Sequence, residues 1–254
     1  MEPHKVVSRE EWLAARKAHL AREKEFTEAR DQLSAERRAL PWVRVEKPYV
    51  FDGPDGKETL ADLFDGRSQL IVYHFMLGPG WREGCKSCSF LADHIDGARV
   101  HLAHRDVTLV VVSRAPLAEI EAFKRRMGWQ FKWVSSCGND FNADYHVSFS
   151  KAEMAKGQVY YNYAMQEFGS EEAPGASVFY KDATGAVFHT YSAYARGLDM
   201  LVGAYNYLDL APKGRDEDGL TFTMAWVRHH DRYDDAARID GAKPYVAAGG
   251  LTAP

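Results

Sequence analysis

The sequence predicts an α/β fold built on a mostly parallel central sheet. Two short, almost wholly apolar runs, Gln69 to Met76 and Val107 to Ser113, read as strands covered on both faces. A helical pattern follows each of them, and two strand-like segments later flank the turn residues Asp182-Ala183-Thr184-Gly185. With 254 residues, 46% of them apolar, the chain can bury a sizeable core without disulfide staples.

Ser8 followed by Glu11 has the form of a capping box, and the stretch from there to Leu40 contains no Pro or Gly. One long helix, or two stacked ones, is expected. Its large apolar residues Trp12, Leu13, Leu20, Phe26 and Leu33 are sparse among charges, which fits an exposed arm lying on the body or on a second subunit. Pro41 ends it, and Trp42 to Phe51 reads as a strand running into the turn Asp52-Gly53-Pro54-Asp55-Gly56. After the run Gln69 to Met76 comes a Gly/Pro loop, Leu77 to Gly84, and then a helix expected from Cys85 to about His104. Val107 to Ser113 is the next strand, Pro116 to Met127 a helix with proline near its first turn, and Phe131 to Ser135 a further strand. Strand, helix, strand, helix, strand implies right-handed crossovers and a parallel sheet. Ser177 to Lys181 and Ala186 to Tyr191 then form a hairpin, and Leu198 to Leu208 a closing helix.

The expected organisation is an N-terminal helical arm (1–41), a main domain (42–212) with an insertion around 139–172, and a C-terminal extension (213–254). The insertion is aromatic and polar without a clean period; its aromatics suggest a cover for whatever site the domain carries. The extension is charged from Lys213 to Asp218, carries Trp226-Val227-Arg228-His229-His230-Asp231, and ends in a Gly/Ala-rich tail expected to be disordered.

Net charge is −4, with basic residues spread along the chain, which argues against nucleic acid as a partner. No apolar run approaches the roughly 20 residues of a membrane span, and Met1 to Glu11 are charged, unlike a signal peptide. The expected location is the cytoplasm, where a close cysteine pair is more often catalytic or metal-binding than a structural bridge.

That pair is Cys85-Lys86-Ser87-Cys88, placed at the start of a helix that follows a buried strand. Together with the later hairpin and closing helix, this order predicts a thioredoxin-like (peroxiredoxin-like) central sheet with flanking helices and the long N-terminal arm. In the first helical turn, free backbone N–H groups and the helix dipole stabilise a thiolate. Cys85 is therefore the expected attacking sulfur, with Lys86 as a further stabiliser, and Cys88, one turn on, the resolving thiol. The same spacing fits half of a zinc site, which would have to recruit Cys137, His74 or His94, and it also fits a purely structural buried pair. Motif and placement agree on redox chemistry, with no cofactor and no metal.

The residues Phe75-Met76, Gly84-Cys85-Lys86-Ser87-Cys88-Ser89-Phe90, Val112-Ser113-Arg114-Ala115-Pro116, Met127-Gly128-Trp129 and His189-Thr190-Tyr191-Ser192 resemble a bacterial family catalogued as a domain of unknown function. Its members are described as predicted dithiol-disulfide oxidoreductases of thioredoxin-like fold, and the resemblance runs from about Ser8 to Tyr233. It implies redox chemistry without naming a substrate. The same region looks like the peroxiredoxins, which place a Thr three residues before the reactive cysteine, where this chain has Arg82. They also carry an Arg beside the sulfur, for which Arg114 and Arg196 are candidates; Arg82 could itself polarise a peroxide or hold a thiolate. Thioredoxins set a cis-proline before the hairpin, facing the cysteine, and Pro174 is the nearest match.

Trp81, Arg82 and Pro174 are the expected substrate-binding residues; Trp81 reads equally as a cap on the core, and Pro174 as an ordinary turn proline. His189, Tyr191, Tyr194 and Arg196 either line a pocket or occupy a half-buried strand face, and His229-His230-Asp231 reads as a surface or interface segment rather than a metal site. Cys137 is either a small buried or partly buried residue or a distant resolving thiol. The expected activity is thiol-disulfide exchange on a protein or small-molecule disulfide, drawing on an electron donor that the sequence does not name. The alternatives are a thiol peroxidase acting on hydroperoxides through Cys85, or a non-catalytic binding protein that keeps the fold. A homodimer is compatible with either.

Overall fold

The computed structural model describes residues 4–233. The Gly/Ala-rich tail expected to be disordered lies outside the described residues. In chain order the elements are α1 (Arg9–Arg38), β1 (Val43–Arg44), β2 (Val50–Gly53), β3 (Gly56–Thr59), β4 (Gln69–His74), α2 (Lys86–Ala92), α3 (Ile95–Ala103), β5 (Val107–Ser113) and α4 (Leu117–Met127). They continue with β6 (Trp133–Ser135), α5 (Phe141–Asp144), α6 (Lys151–Met154), β7 (Val159–Tyr161), β8 (Ala164–Gln166), β9 (Gly175–Lys181), β10 (Val187–Tyr194) and α7 (Gly203–Leu208). Short 3-10 turns join several of them.

Eight strands form one sheet in the order β1-β10-β9-β4-β5-β6-β2-β3, while β7 and β8 pair separately. The two apolar runs pair in parallel from Gln69↔Val107 to His74↔Val112, and β6 continues the parallel set beside β5. On the other side β9 runs antiparallel to β4, with Ile71↔Val178, and β10 folds back on β9, so the sheet is parallel only across β4, β5 and β6 and not mostly parallel as expected. The central β4 followed by α2, β5, α4, then the β9–β10 hairpin and α7, is the thioredoxin-like arrangement. The β2–β3 hairpin beyond β6 extends it in the peroxiredoxin-like manner.

Side chains that alternate along β4 and β5 divide the core between the two faces. Tyr73, Val111, Phe123, Trp133 and Tyr205 belong to the cluster on the face that carries the cysteines. Leu70, Val72, Val110, Val112 and Phe179 belong to the other. Residues of the insertion build a third cluster, in which Val147, Phe149 and Tyr161 pack with Tyr194 of β10.

The N-terminal arm is one helix rather than two. Ser8 and Glu11 make the expected reciprocal cap, and no residue of α1 is buried. Arg37 stacks over the Tyr191 ring, 4.9 Å from its centroid, where the arm meets the sheet edge.

Three expected elements differ from the observed ones. The helix from Cys85 to His104 is two helices, α2 and α3, divided at Asp93-His94. At that break the Asp93 carboxylate accepts from Trp129 Nε1 at 2.8 Å, and His94 Nε2 accepts from the Ala204 amide at 3.0 Å. The strand from Trp42 to Phe51 is split between β1 on one edge of the sheet and β2 near the other. The closing helix begins as a 3-10 segment, Ala195–Leu201, and becomes α-helical only at Gly203.

Gly84, just before Cys85, is required by packing. A Cβ there would lie 2.5 Å from Phe75 Cε1 and 2.7 Å from Phe123 Cε1, and both rings are fixed in the core. We expect Gly84→Ala to cost about 1–3 kcal/mol through overpacking, read as a lower urea midpoint at unchanged slope. An unchanged midpoint would mean that the rings move aside freely.

Candidate active site

Cys85 caps the N-terminus of α2 with extended backbone angles, φ −57° and ψ 134°. Its own N–H donates to the Met76 carbonyl at 3.0 Å, and its carbonyl accepts from both the Ser89 amide and the Ser89 hydroxyl at 2.9 Å. The residue is held from both sides, so its sulfur has a defined position. Cys85 is half-buried and Cys88 is 2% exposed; both are free thiols.

The two sulfurs share a hydrogen bond. The Cys88 S–H donates to Cys85, and this is the largest cause that lowers the Cys85 thiol from its ordinary 9.0 to about 6. Burial opposes the shift, while the backbone N–H groups of Cys88 and Ser87 and the Ser87 side chain add to it. Lys86 is exposed and is not among these causes, so its expected part in stabilising the thiolate is not seen. Burial first, then the neighbouring Cys85, push the Cys88 thiol well above its ordinary value. The Tyr73 hydroxyl and the Met76 amide, both hydrogen-bonded to the Cys88 sulfur, pull it the other way. The pair therefore divides into an ionisable outer sulfur and a protonated inner one.

A cavity of about 1130 Å³ opens over the pair. Its lining includes Cys85, Ser87, Cys88 and Tyr73 on the sheet side, Tyr161 and Phe168 from the insertion, and residues of 195–205 and 213–224. Pro174 lines it too, but the Ala173–Pro174 peptide is trans, as are all peptide bonds of the described residues. The expected cis-proline is therefore corrected. The Pro174 carbonyl accepts a hydrogen bond from the Tyr161 hydroxyl at 2.7 Å.

The other expected substrate-binding residues are not brought to the cavity. Trp81 lies over Gly78, partly buried against the core, and Arg82 is exposed outside the lining. Of the candidate arginines, Arg196 is at the cavity and pairs with Asp199 at 3.1 Å, whereas Arg114 is bound to the buried Glu172 at 2.6 Å. Cys137 is exposed beyond β6 and lies outside the lining. His189, Tyr191 and Tyr194 border a different cavity of about 700 Å³ where the arm joins the sheet. His74 packs with the cluster on the opposite face, against Phe141 and Tyr145, so the possible zinc ligands are not assembled around the pair. Among the described residues no group of three or more His, Cys, Asp or Glu side chains could hold a metal ion.

Of the segment expected at the surface or an interface, His230 is exposed and Asp231 partly so, but His229 is not. His229 is 2% exposed and sits against Phe123, with Nε2 2.9 Å from the Gly84 carbonyl and Nδ1 3.2 Å from Arg126 Nη2. A carbonyl only accepts and a guanidinium only donates, so the ring carries its proton on Nε2. Arg126 also grips both Asp231 oxygens at 2.8 and 2.9 Å and Glu83 at 2.7 Å, and Arg232 joins Glu83. The end of the described chain is thereby clamped to the loop that delivers Cys85.

Sequence reasoning alone does not mark Tyr73, Arg215 and Glu217. Tyr73 lies inside an apolar run, where its hydroxyl gives no separate signal. Arg215 reaches Asp209 at 2.8 Å and Asp199 at 3.0 Å, and Glu217 accepts from Tyr205 at 2.8 Å and Trp226 at 2.6 Å. These bonds fold the charged stretch after Pro212 back over the cysteines as a cavity wall.

No curated protein matches the chain. Peroxidoxin BcpB from Mycobacterium tuberculosis is similar over 65% of this chain and 94% of its own, at 11% identity and a TM-score of 0.43. Peroxiredoxin Q of Xanthomonas campestris is similar over 66% of this chain and 96% of its own, at 13% identity and a TM-score of 0.41. The fold assignment stands on the strand order rather than on these likenesses. The family described as "Bacterial protein of unknown function (DUF899)" matches residues 1–233, the same stretch that carries the motifs around Cys85 and Ser192. The chain belongs to that bacterial family, DUF899.

Proposed function

We propose that the protein is a thiol-disulfide oxidoreductase in which Cys85 attacks and Cys88 resolves. The observation that supports this best is the unequal pair at the cavity floor, an acidified Cys85 hydrogen-bonded to a buried, protonated Cys88. The Cys85 thiolate attacks one sulfur of a disulfide RS–SR, forming Cys85–S–SR and releasing RS⁻. Cys88 then loses its proton and attacks the Cys85 sulfur, which breaks the mixed bond and expels the second RS⁻. The protein becomes the Cys85–Cys88 disulfide, the substrate is reduced by two electrons, and the Cys88 proton leaves with a thiol product.

Arg196 at the cavity favours a second reading, in which Cys85 attacks a hydroperoxide and the guanidinium stabilises the departing oxygen. The two separate by oxidant. Reduced protein would be alkylated across pH with products mapped by mass spectrometry, and parallel samples treated with a small disulfide or with peroxide. A Cys85 midpoint near 6 and a Cys85–Cys88 bond formed faster by the disulfide support the first reading; faster oxidation by peroxide supports the second. Sluggish thiols and no disulfide would overturn both.

Tyr73→Phe tests the resolving step. It removes a donor to the Cys88 sulfur, and a hydrogen bond to a developing charge is worth about 1.5 kcal/mol, or roughly tenfold in rate. Quenched-flow samples should show the mixed disulfide forming at the wild-type rate and persisting about tenfold longer. Equal persistence would remove Tyr73 from the mechanism.

A further inference from the structure

The cavity above the cysteines constrains the substrate in a way that the thiols alone do not, an inference that rests on the dithiol reading. At about 1130 Å³ the space is comparable to pockets that take small organic molecules. Phe168, Pro174, Leu198, Leu220, Phe222 and Met224 give it a largely apolar lining. These side chains come from three stretches far apart in sequence, so the space over Cys85 is walled on several sides. A disulfide on a folded protein would have to be carried down between those walls, whereas a small disulfide only has to fit.

The charge of the lining is lopsided. Five carboxylates, Asp199, Asp209, Asp216, Glu217 and Asp218, face three cations, Arg196, Lys213 and Arg215. Arg215 is committed to Asp199 and Asp209, and Arg196 to Asp199. Glu217 accepts hydrogen bonds from Tyr205, Met224 and Trp226 and has no cation paired with it among the described residues. Asp216 and Asp218 are exposed and lie in no ion pair among the described residues, with Lys213 as the one comparably exposed cation nearby in the chain. The Cys85 thiolate adds a further negative charge at the floor. In a cleft with apolar walls such a balance repels anions and concentrates neutral or cationic molecules.

We propose that this cavity takes a small disulfide with an apolar body and no net negative charge. Exchange proceeds by attack of Cys85 and resolution by Cys88, leaves the protein as the Cys85–Cys88 disulfide, and releases two apolar thiols. The test is stopped-flow oxidation of the fully reduced full-length protein by two aromatic disulfides, neutral dithiodipyridine and dianionic dithiobis(nitrobenzoate). Each rate is divided by that of the same reagent with mercaptoethanol at the same pH, which cancels intrinsic reactivity. The expected normalised preference for the neutral reagent is about tenfold at low salt. It should shrink between about 0.01 M and 1 M salt as the Debye length falls from roughly 30 to 3 Å. Asp216→Asn combined with Asp218→Asn should narrow it as well. Insulin, whose disulfides lie on a folded protein, should be reduced far more slowly than dithiodipyridine. Equal normalised rates for the two reagents, or insulin reduced as readily as the neutral one, would overturn the proposal and leave the dithiol chemistry standing. Failure of Cys85 to react with either aromatic disulfide would overturn the dithiol chemistry itself, and this proposal with it.

Discussion

In Cys88→Ala the pH midpoint for alkylation of Cys85 will rise from about 6 toward the ordinary thiol value of 9.0, and exchange will stop at the mixed disulfide. The Cys88 S–H is the largest cause of the low Cys85 value, and alanine removes it, leaving the backbone N–H groups and the Ser87 side chain to work against burial. A donor to the thiolate favours the ionised form, so its loss raises the pKa and empties the thiolate population near neutrality. The midpoint is the quantity to measure, because a less acidic thiolate is also intrinsically more nucleophilic and a rate at one pH would mask the change. Mass spectrometry of the same variant after a small disulfide should show a stable adduct on Cys85, since no neighbouring thiol can displace it. A midpoint that stays near 6 would assign the acidification to the first turn of α2 instead.

Arg114→Met will destabilise the protein by about 2–3 kcal/mol near neutral pH, somewhat less than the roughly 3–5 kcal/mol of a fully buried pair because the guanidinium is partly exposed. Glu172 is 1% exposed, and its carboxylate is held by Arg114 at 2.6 Å and the Ser148 hydroxyl at 2.5 Å. Burial already pushes this carboxyl above its ordinary 4.5, with Ser148 and Arg114 pulling it down. Without the arginine the folded value rises further, while the unfolded one does not move. A carboxyl whose folded pKa is raised favours the native state fully below the unfolded value, and that benefit is lost as pH rises through the folded one. The gap between wild type and variant should therefore be small near pH 4.5 and widen toward neutrality. Urea unfolding on both sides of that range checks this, and Glu172→Gln added to Arg114→Met should recover part of the loss. A gap independent of pH would mean that Glu172 does not ionise in the native state.

The parallel core is legible because strands covered on both faces must be apolar throughout, as Leu70 to Tyr73 and Leu109 to Val112 are. The placement of Cys85 and Cys88 at the start of α2 is legible because the apolar strand and the Gly/Pro loop before them mark where a helix can begin. The cavity is not. Its walls are fixed by bonds between residues distant in the chain, such as Arg215 to Asp199 and Glu217 to Tyr205, and a charged stretch looks the same whether it is solvated or folded back. Trp81 and Arg82 are recommended by their nearness to the pair in sequence and, for Arg82, by a guanidinium that could hold a thiolate. In the fold Trp81 packs against Gly78 and the core, and Arg82 is exposed outside the cavity lining. His229 reads as superficial because adjacent histidines before an aspartate are usually polar surface; only the tertiary fold brings it under the Gly84 carbonyl.

That last contact spans 145 positions of the chain. At about 5–20 residues per second, synthesis needs on the order of 10 s to deliver His229 after Gly84 has been made. Throughout that interval the nascent Cys85 loop has its bond to Met76, its own helical turn and the Arg126–Glu83 pair, but not the bond from His229 to the Gly84 carbonyl. The Cys85 sulfur is thus among the last parts of the molecule to be finished, although its residue is made about a third of the way along the chain. A ribosome that stalls late leaves a protein with its sheet complete and its thiol loop short of its last tether.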